Sequence, residues 1–591
     1  MLTALLLSAT LTSARTPILP PAIPWNGASR ALAVPANDPW VTPSEATGFR
    51  TTPRYDETVA YLQRLVKASN QLKMVSLGKS DEGRDVWMVI ASKERAFTPE
   101  ALRRTNKAIV LAQGGIHSGE IDGKDAGLML LRDMTVRGTK RDLLDAANFL
   151  FVPIFNVDGH ERFNRWFRIN QRGPEEGGWR TNARNLNLNR DYMKADAAEM
   201  RAMIGALQTW QPDLYIDLHV TDGADYQYDI TFGWNGEGGY SPAIARWLDT
   251  SYRGPVDAAM REMGHIPGPL IFTDDPLDQG VILGQSDPRL SHSYGDARHL
   301  PSILVENHSL KPYDQRVLGT YVFLEHTLRT IARELAPLRA AVATERARRP
   351  ASIPLTWKLP AGGQPQQMDV LGVESRKKLS AVTGAVYTEW LGKPVTMRAP
   401  VRTTSEVATS VAPARAYWVP AAWQEVIAKL DLHGVPYERI AAPREVDVTM
   451  YRLASPQYDS AQFEGHVRVT AAATAEKRKE RFPAGSVRVS TDQPLGTLAT
   501  LLLEPSSPDS LFQWGFFNSI LSPTEYVEAY IMEPMAERML AEDPKLAEEF
   551  RAKLETDAAF RGDSRARLWW FYQRTPFYDE RARLYPVGRE E

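Results

Sequence analysis

The chain contains no cysteine. That absence excludes disulfides, thiol nucleophiles, thiolate metal sites and a lipid-modified cysteine anchor, so any metal must take its ligands from His, Asp or Glu. No stretch reaches the ~18 uninterrupted apolar residues of a membrane-spanning helix, and no integral membrane segment is expected. An excess of one charge is also lacking, with 70 Lys and Arg against 72 Asp and Glu for a net charge of −2. Without a global basic field, nucleic acid is a poor partner. What is present is the composition of a folded globular protein, 43% hydrophobic and 24% charged. At 591 residues the chain is long enough for about two to four domains.

Residues 2 to 11, LTALLLSATL, match a signal-peptide apolar core in length, and Thr12 and Ala14 supply the small residues of a cleavage site. Export to the periplasm or medium is the expectation, with residues 1–14 as the signal. Residues 15–51 are rich in Pro and Ala and read as an extended leader. From Pro53 to Asn70 the apolar residues Val59, Leu62, Leu65 and Val66 recur at helical spacing. Strands are expected at 73–77, 86–90, 107–113, 149–155, 213–218 and 303–305, with helices at about 122–134 and 195–209. This alternation predicts an α/β fold, a mixed sheet flanked by helices, over residues 52–349.

In such folds ligands gather in the loops after the strands. His117 and Glu120 lie three positions apart, directly after the third strand and a Gly-Gly step, a spacing that lets imidazole and carboxylate share one Zn²⁺. A surface loop can carry the same pair by chance. His219, at the end of the strand DLYIDLHV, completes a His₂Glu set that leaves a position open for water, and Asp217 lies on the same side of that strand. Residues 156–192 form an Arg-rich segment of little apolar periodicity, in which Asn189 and Arg190 offer a donor set for a carboxylate. The strand ILV runs directly into Glu306, a carboxylate placed to act as a general base.

Together these residues resemble the zinc carboxypeptidase family, the carboxypeptidase A-like metallopeptidases. HSGE stands for the zinc pair, NVDG for the family's NPDG, RIN and NLNLNRDY for its arginine and clamp motifs, followed by His219 and a late ILVE glutamate. The resemblance covers about residues 52–336. It implies that His117, Glu120 and His219 hold one zinc ion, that Arg168 stabilises the oxyanion, that Asn189 and Arg190 hold the substrate's free carboxylate, and that Glu306 is general base. It also implies a mobile tyrosine over that carboxylate, for which Tyr294 is the candidate, a core tyrosine being the alternative. Arg172, Arg180 and Arg184 rival Arg168, and Asp191 stands where the family has asparagine. The activity implied is zinc-dependent metallocarboxypeptidase hydrolysis of a peptide, or another amide with a free carboxylate. The alternatives are a cell-wall peptide hydrolase or acyl-amino-acid deacylase on the same site, or a non-catalytic metal-containing binding protein.

A Pro/Gly-rich stretch after Arg349 marks a domain boundary. Beyond it, residues 350–591 read as an accessory region, β-rich to about Val489 and then helical. A helix is expected at 421–432, a buried strand and turn over 501–518, and a capping box at Ser522 and Glu525. The aromatic-rich end is expected to pack against a core. Side-chain preference and oligomeric state are not legible.

Overall fold

The structure, a computed structural model, describes residues 18–273, 275–362 and 365–591. The expected signal segment lies outside the described residues. Among the described residues, nine strands belong to the first part of the chain: β1 (Leu72–Lys79), β2 (Asp85–Ala91), β3 (Ala108–Gly114), β4 (Ala147–Val152), β5 (Leu214–Val220), β6 (Ile230–Gly233), β7 (Pro267–Pro269), β8 (Val281–Gly284) and β9 (Ser302–Asn307). All but β8 form one mixed sheet in the order β1-β2-β4-β3-β5-β9-β6-β7. Its centre, β4-β3-β5-β9, is parallel. These four strands are buried along their whole length, as parallel strands covered on both faces require.

Two hydrophobic layers cover the sheet. On one face Val110, Ala112, Ile216 and Leu218 pack with the helices Asp122–Met134 and Tyr313–Arg333. On the other, Ile109, Leu111, Leu150 and Val152 pack with the helix Ala198–Trp210, and this layer continues without a break into Val426, Val487, Leu501 and Tyr585. The expected boundary at 349/350 therefore separates two stretches of chain that share one core.

The later strands are β10 (Ile353–Lys358), β11 (Gln366–Leu379), β12 (Val386–Thr404), β13 (Glu406–Val411), β14 (Ala416–Val419), β15 (Glu438–Arg439), β16 (Arg444–Tyr458), β17 (Val469–Phe482), β18 (Val487–Ser490) and β19 (Gly588–Glu590). β11 and β12 form a sheet with β8, while β15-β18-β14-β19-β16-β17 form a second mixed-length sheet. The C-terminal strand β19 thus inserts between β14 and β16.

Three expectations are corrected. The leader, expected as extended, carries short helices at Ala28–Leu32 and Pro43–Ala46 and packs on the fold: Trp25 donates to the Gly264 carbonyl at 2.8 Å, and Glu45, in a capping box with Thr42, pairs with the buried Arg132. Residues 496–503 are a helix rather than a strand, because the eight-residue run is buried on every side and burial alone cannot distinguish the two. No capping box forms at Ser522; the helix there begins at Ala529. The aromatic tail packs as expected, with Trp570, Phe571 and Tyr572 in a cluster with Met532 and Phe560.

Candidate metal centre and active site

The four parallel strands deliver their C-terminal ends to one edge of the sheet, where the expected residues meet. After β3 the chain reverses through Gly115, whose φ of +68° belongs to the left-handed region that glycine enters without strain. This turn brings His117 and Glu120 back over β5. His219 on β5 and Glu306 on β9 are register partners on adjacent strands. Their side chains therefore leave the sheet on the same side.

Ligand atoms of His117, Glu120 and His219 all lie within 4.8 Å of one another. Both imidazoles turn Nδ1 inward, at 3.1 Å and 3.0 Å from Glu120 Oε2. Their outer nitrogens are held by oxygen acceptors: His117 Nε2 by Asn187 Oδ1 at 2.8 Å, and His219 Nε2 by Asp217 Oδ2 at 2.7 Å. Gln113 in turn donates to Asp217 at 2.9 Å. An Nε2–H engaged outside leaves the Nδ1 lone pair inside, which is the tautomer a metal ligand needs. His117 Nδ1 is buried and makes no hydrogen bond. Two nitrogens and a carboxylate oxygen facing one point, with a fourth direction open to a cavity, fit one Zn²⁺.

Electrostatics agree with a cation there. Glu120 is buried, yet His117 and Arg168 hold its pKa well below the usual carboxylate range. Burial opposes charge on His219, but Asp217 and Glu120 outweigh it and hold the pKa of the metal-free ring up at about 10, so the site holds a proton on Nδ1 that a metal would displace. Glu306 behaves oppositely: burial, reinforced by Glu120 and Asp222, pushes its carboxyl up to about 8. Its Oε2 is buried without a hydrogen-bond partner.

A cavity of about 320 Å³ opens on this centre, lined by His117, Glu120, His219, Glu306, Asn189 and Arg190. Arg180, Asp222 and the apolar Ile271, Phe272 and Leu290 complete much of its wall. Asn189 Oδ1 accepts the Ser291 N–H at 3.0 Å, and its Nδ2 lies 3.2 Å from His219 Nε2. Arg190 has one N–H on the Asn189 carbonyl at 2.7 Å and otherwise faces the cavity. Asp191 points away, pairing with the buried Lys194 and the Ala197 N–H.

Two expected residues sit differently. Tyr294 is fully buried, its hydroxyl 2.8 Å from His433 Nδ1, and it does not line the cavity. The core alternative holds because its short helix, Ser291–Ala297, faces the helix Gln424–His433. Arg168 also stands behind the lining: its guanidinium binds Glu120 and the carbonyls of Val220 and Thr221. Arg180, bonded to Glu120 Oε1 at 3.0 Å, has the cavity surface. Asn187 was not singled out by spacing, although it stands two residues before Asn189. Its N–H is held by Glu464 at 2.7 Å, a residue of the accessory region.

An α/β sheet carrying a His-Glu-His centre and a carboxylate at the end of the adjacent strand defines a zinc hydrolase site. The family description "zinc carboxypeptidase" matches residues 58–253, and this part of the chain belongs to the zinc carboxypeptidase family. Carboxypeptidase 2 of Trichophyton rubrum is 22% identical over 485 residues, 78% of this chain and 84% of that protein. The corresponding protein of Trichophyton tonsurans is 22% identical over 500 residues, 81% and 86% of the two chains. Among solved structures, the carboxypeptidase A of Helicoverpa armigera is 18% identical, covering 50% of this chain and 75% of its own, with a TM-score of 0.36.

Proposed function

We propose that this zinc metallocarboxypeptidase removes C-terminal residues from peptides with Glu306 as general base and Arg190 as the anchor for the free carboxylate. The observation that carries this reading is the placement of Glu306 and Arg190 in one cavity with His117, Glu120 and His219. Zinc held by those three residues supplies Lewis acidity toward the scissile carbonyl and toward water. Arg190 binds the terminal carboxylate as a guanidinium fork, with Asn189 held by the Ser291 N–H. Glu306 takes the proton of the attacking water at its unpartnered Oε2 and returns it to the leaving amine. A guanidinium of the pair on Glu120 meets the charge developing on the carbonyl oxygen; Arg180 is the member with cavity surface, Arg168 the one the sequence resemblance favours. The apolar run at residues 2–11 supports export of the enzyme.

The test is zinc content and C-terminal trimming of a mixed peptide library, read by mass spectrometry, for wild type and Glu306→Gln. Zinc in both proteins with trimming by wild type alone is the expected outcome. Because the base must be unprotonated, kcat/KM should fall as pH falls through the Glu306 titration, and Glu306→Gln should lack this acid limb. Zinc-loaded wild type that trims no peptide would overturn the carboxylate clamp.

A further inference from the structure

The strands β11 and β12 pair antiparallel from Gln366↔Val401 out to Leu379↔Val386. Their base is anchored in the fold, where Val401–Thr404 adds to β8, and Val370, Val373 and Ala399 are buried. Their outer end has no such cover. Leu379, Val382, Val386 and Tyr387 are exposed by 70%, 94%, 62% and 45%. Leu379 and Val386 are cross-strand partners and Tyr387 stands opposite Lys378, but the ribbon leaves most of this apolar surface, Val382 above all, in water.

The turn that presents it bonds five of its N–H groups internally. Ser380 Oγ accepts the N–H groups of Val382 and Thr383 at 3.1 Å each. The Gly384 N–H reaches the Ser380 carbonyl at 3.0 Å, the Ser380 N–H reaches the Ala385 carbonyl at 2.9 Å, and the Ala385 N–H reaches Thr383 Oγ1 at 3.2 Å. Backbone groups bonded in this way tolerate a low-dielectric surrounding, where bare amides are costly. Directly behind the tip, Arg376, Lys377 and Lys378 stand on β11 against a single carboxylate, Glu389, which pairs with Arg376 and Lys378. Lys377 is neutralised by no carboxylate; it donates to Thr388 Oγ1 at 3.1 Å.

We propose that this hairpin is a peripheral membrane anchor. Leu379, Val382, Val386 and Tyr387 enter the headgroup layer of an anionic bilayer, and Arg376, Lys377 and Lys378 meet its phosphates. Apolar insertion combined with nearby cations is the pairing that holds proteins to anionic lipid surfaces. Tyrosine suits the interfacial depth. A second copy of the chain fits less well, because tip-to-tip contact brings two sets of these cations together.

The experiment is co-sedimentation of the full chain with vesicles of phosphatidylglycerol and phosphatidylcholine, compared with phosphatidylcholine alone. Wild type should sediment with the anionic vesicles, less at high salt. Val382→Asp should lower the partition coefficient by about tenfold, and a Lys377→Gln, Lys378→Gln double variant should weaken binding to anionic vesicles only. Both sets of residues are exposed, so folding and peptidase turnover in solution should be unchanged. Wild type remaining in the supernatant, or Val382→Asp sedimenting equally, overturns the proposal. So does a tip variant that converts a dimer to a monomer while vesicles bind neither form.

Discussion

At the scale of single residues, the centre is built from side chains whose outer hydrogen bonds fix what their inner atoms do. Asn187 and Asp217 each hold an Nε2, so both Nδ1 atoms converge on Glu120. The two arginines on Glu120 separate by their remaining contacts. Arg168 is tied to two backbone carbonyls at the end of β5, those of Val220 and Thr221, whereas Arg180 turns to the cavity. Arg180→Met is therefore expected to keep zinc and lose about 100-fold in kcat, while Arg168→Met loosens Glu120 and weakens zinc in a chelator competition. If Arg168→Met keeps zinc and carries the loss in kcat, the oxyanion role belongs to Arg168. His117, Glu120, His219 and Glu306 were legible because each lies at or just after a strand end at recognisable spacing. Which arginine faces the cavity was not, because a loop of several arginines has no periodicity from which direction can be read.

At the scale of elements, the helix Gln424–His433 is locked to the helix Ser291–Ala297 through one buried imidazole. His433 Nδ1 accepts from the Tyr294 hydroxyl at 2.8 Å, and its Nε2–H donates to the Met193 carbonyl at 2.9 Å. Neutral imidazole satisfies both contacts, and burial lowers its pKa to about 3 from 6.5. Between those values the unfolded chain binds the extra proton, so this stabilisation is complete above pH ~6.5 and is lost as pH falls toward ~3. From pH 7 to pH 5 the loss is about 2 kcal/mol, and urea midpoints at the two pH values should show His433→Gln lacking that increment. A variant with the same acid slope as wild type would remove His433 as its source. The sequence marked residues 421–432 as helix but not 291–297, and the pairing of the two is a contact between residues 139 positions apart, which spacing within either segment cannot reveal.

At the scale of the whole molecule, the accessory region is part of the catalytic half. One hydrophobic layer runs from Ile109 and Leu150 under the sheet to Val426, Leu501 and Tyr585. Glu464 holds the N–H of Asn187, and Asp509 pairs with Arg289, the neighbour of cavity-lining Leu290. A chain ending at residue 349 would expose that layer, so it is expected to aggregate or to bind dye as a loosely packed state. A monomeric, zinc-binding fragment with wild-type turnover would show that the shared core is dispensable. The sequence by itself determined the strands β1 to β5 and β9 with two of the helices beside them, and the placing of His117, Glu120, His219 and Glu306 at strand ends, because local periodicity and short motifs encode them within a few residues. Tertiary structure alone decided that Tyr294 is a core residue, that Arg180 rather than Arg168 has cavity surface, and that residues 350–591 buttress the site. These outcomes depend on which distant surfaces bury each other, and burial is a property of the assembled fold rather than of any local segment.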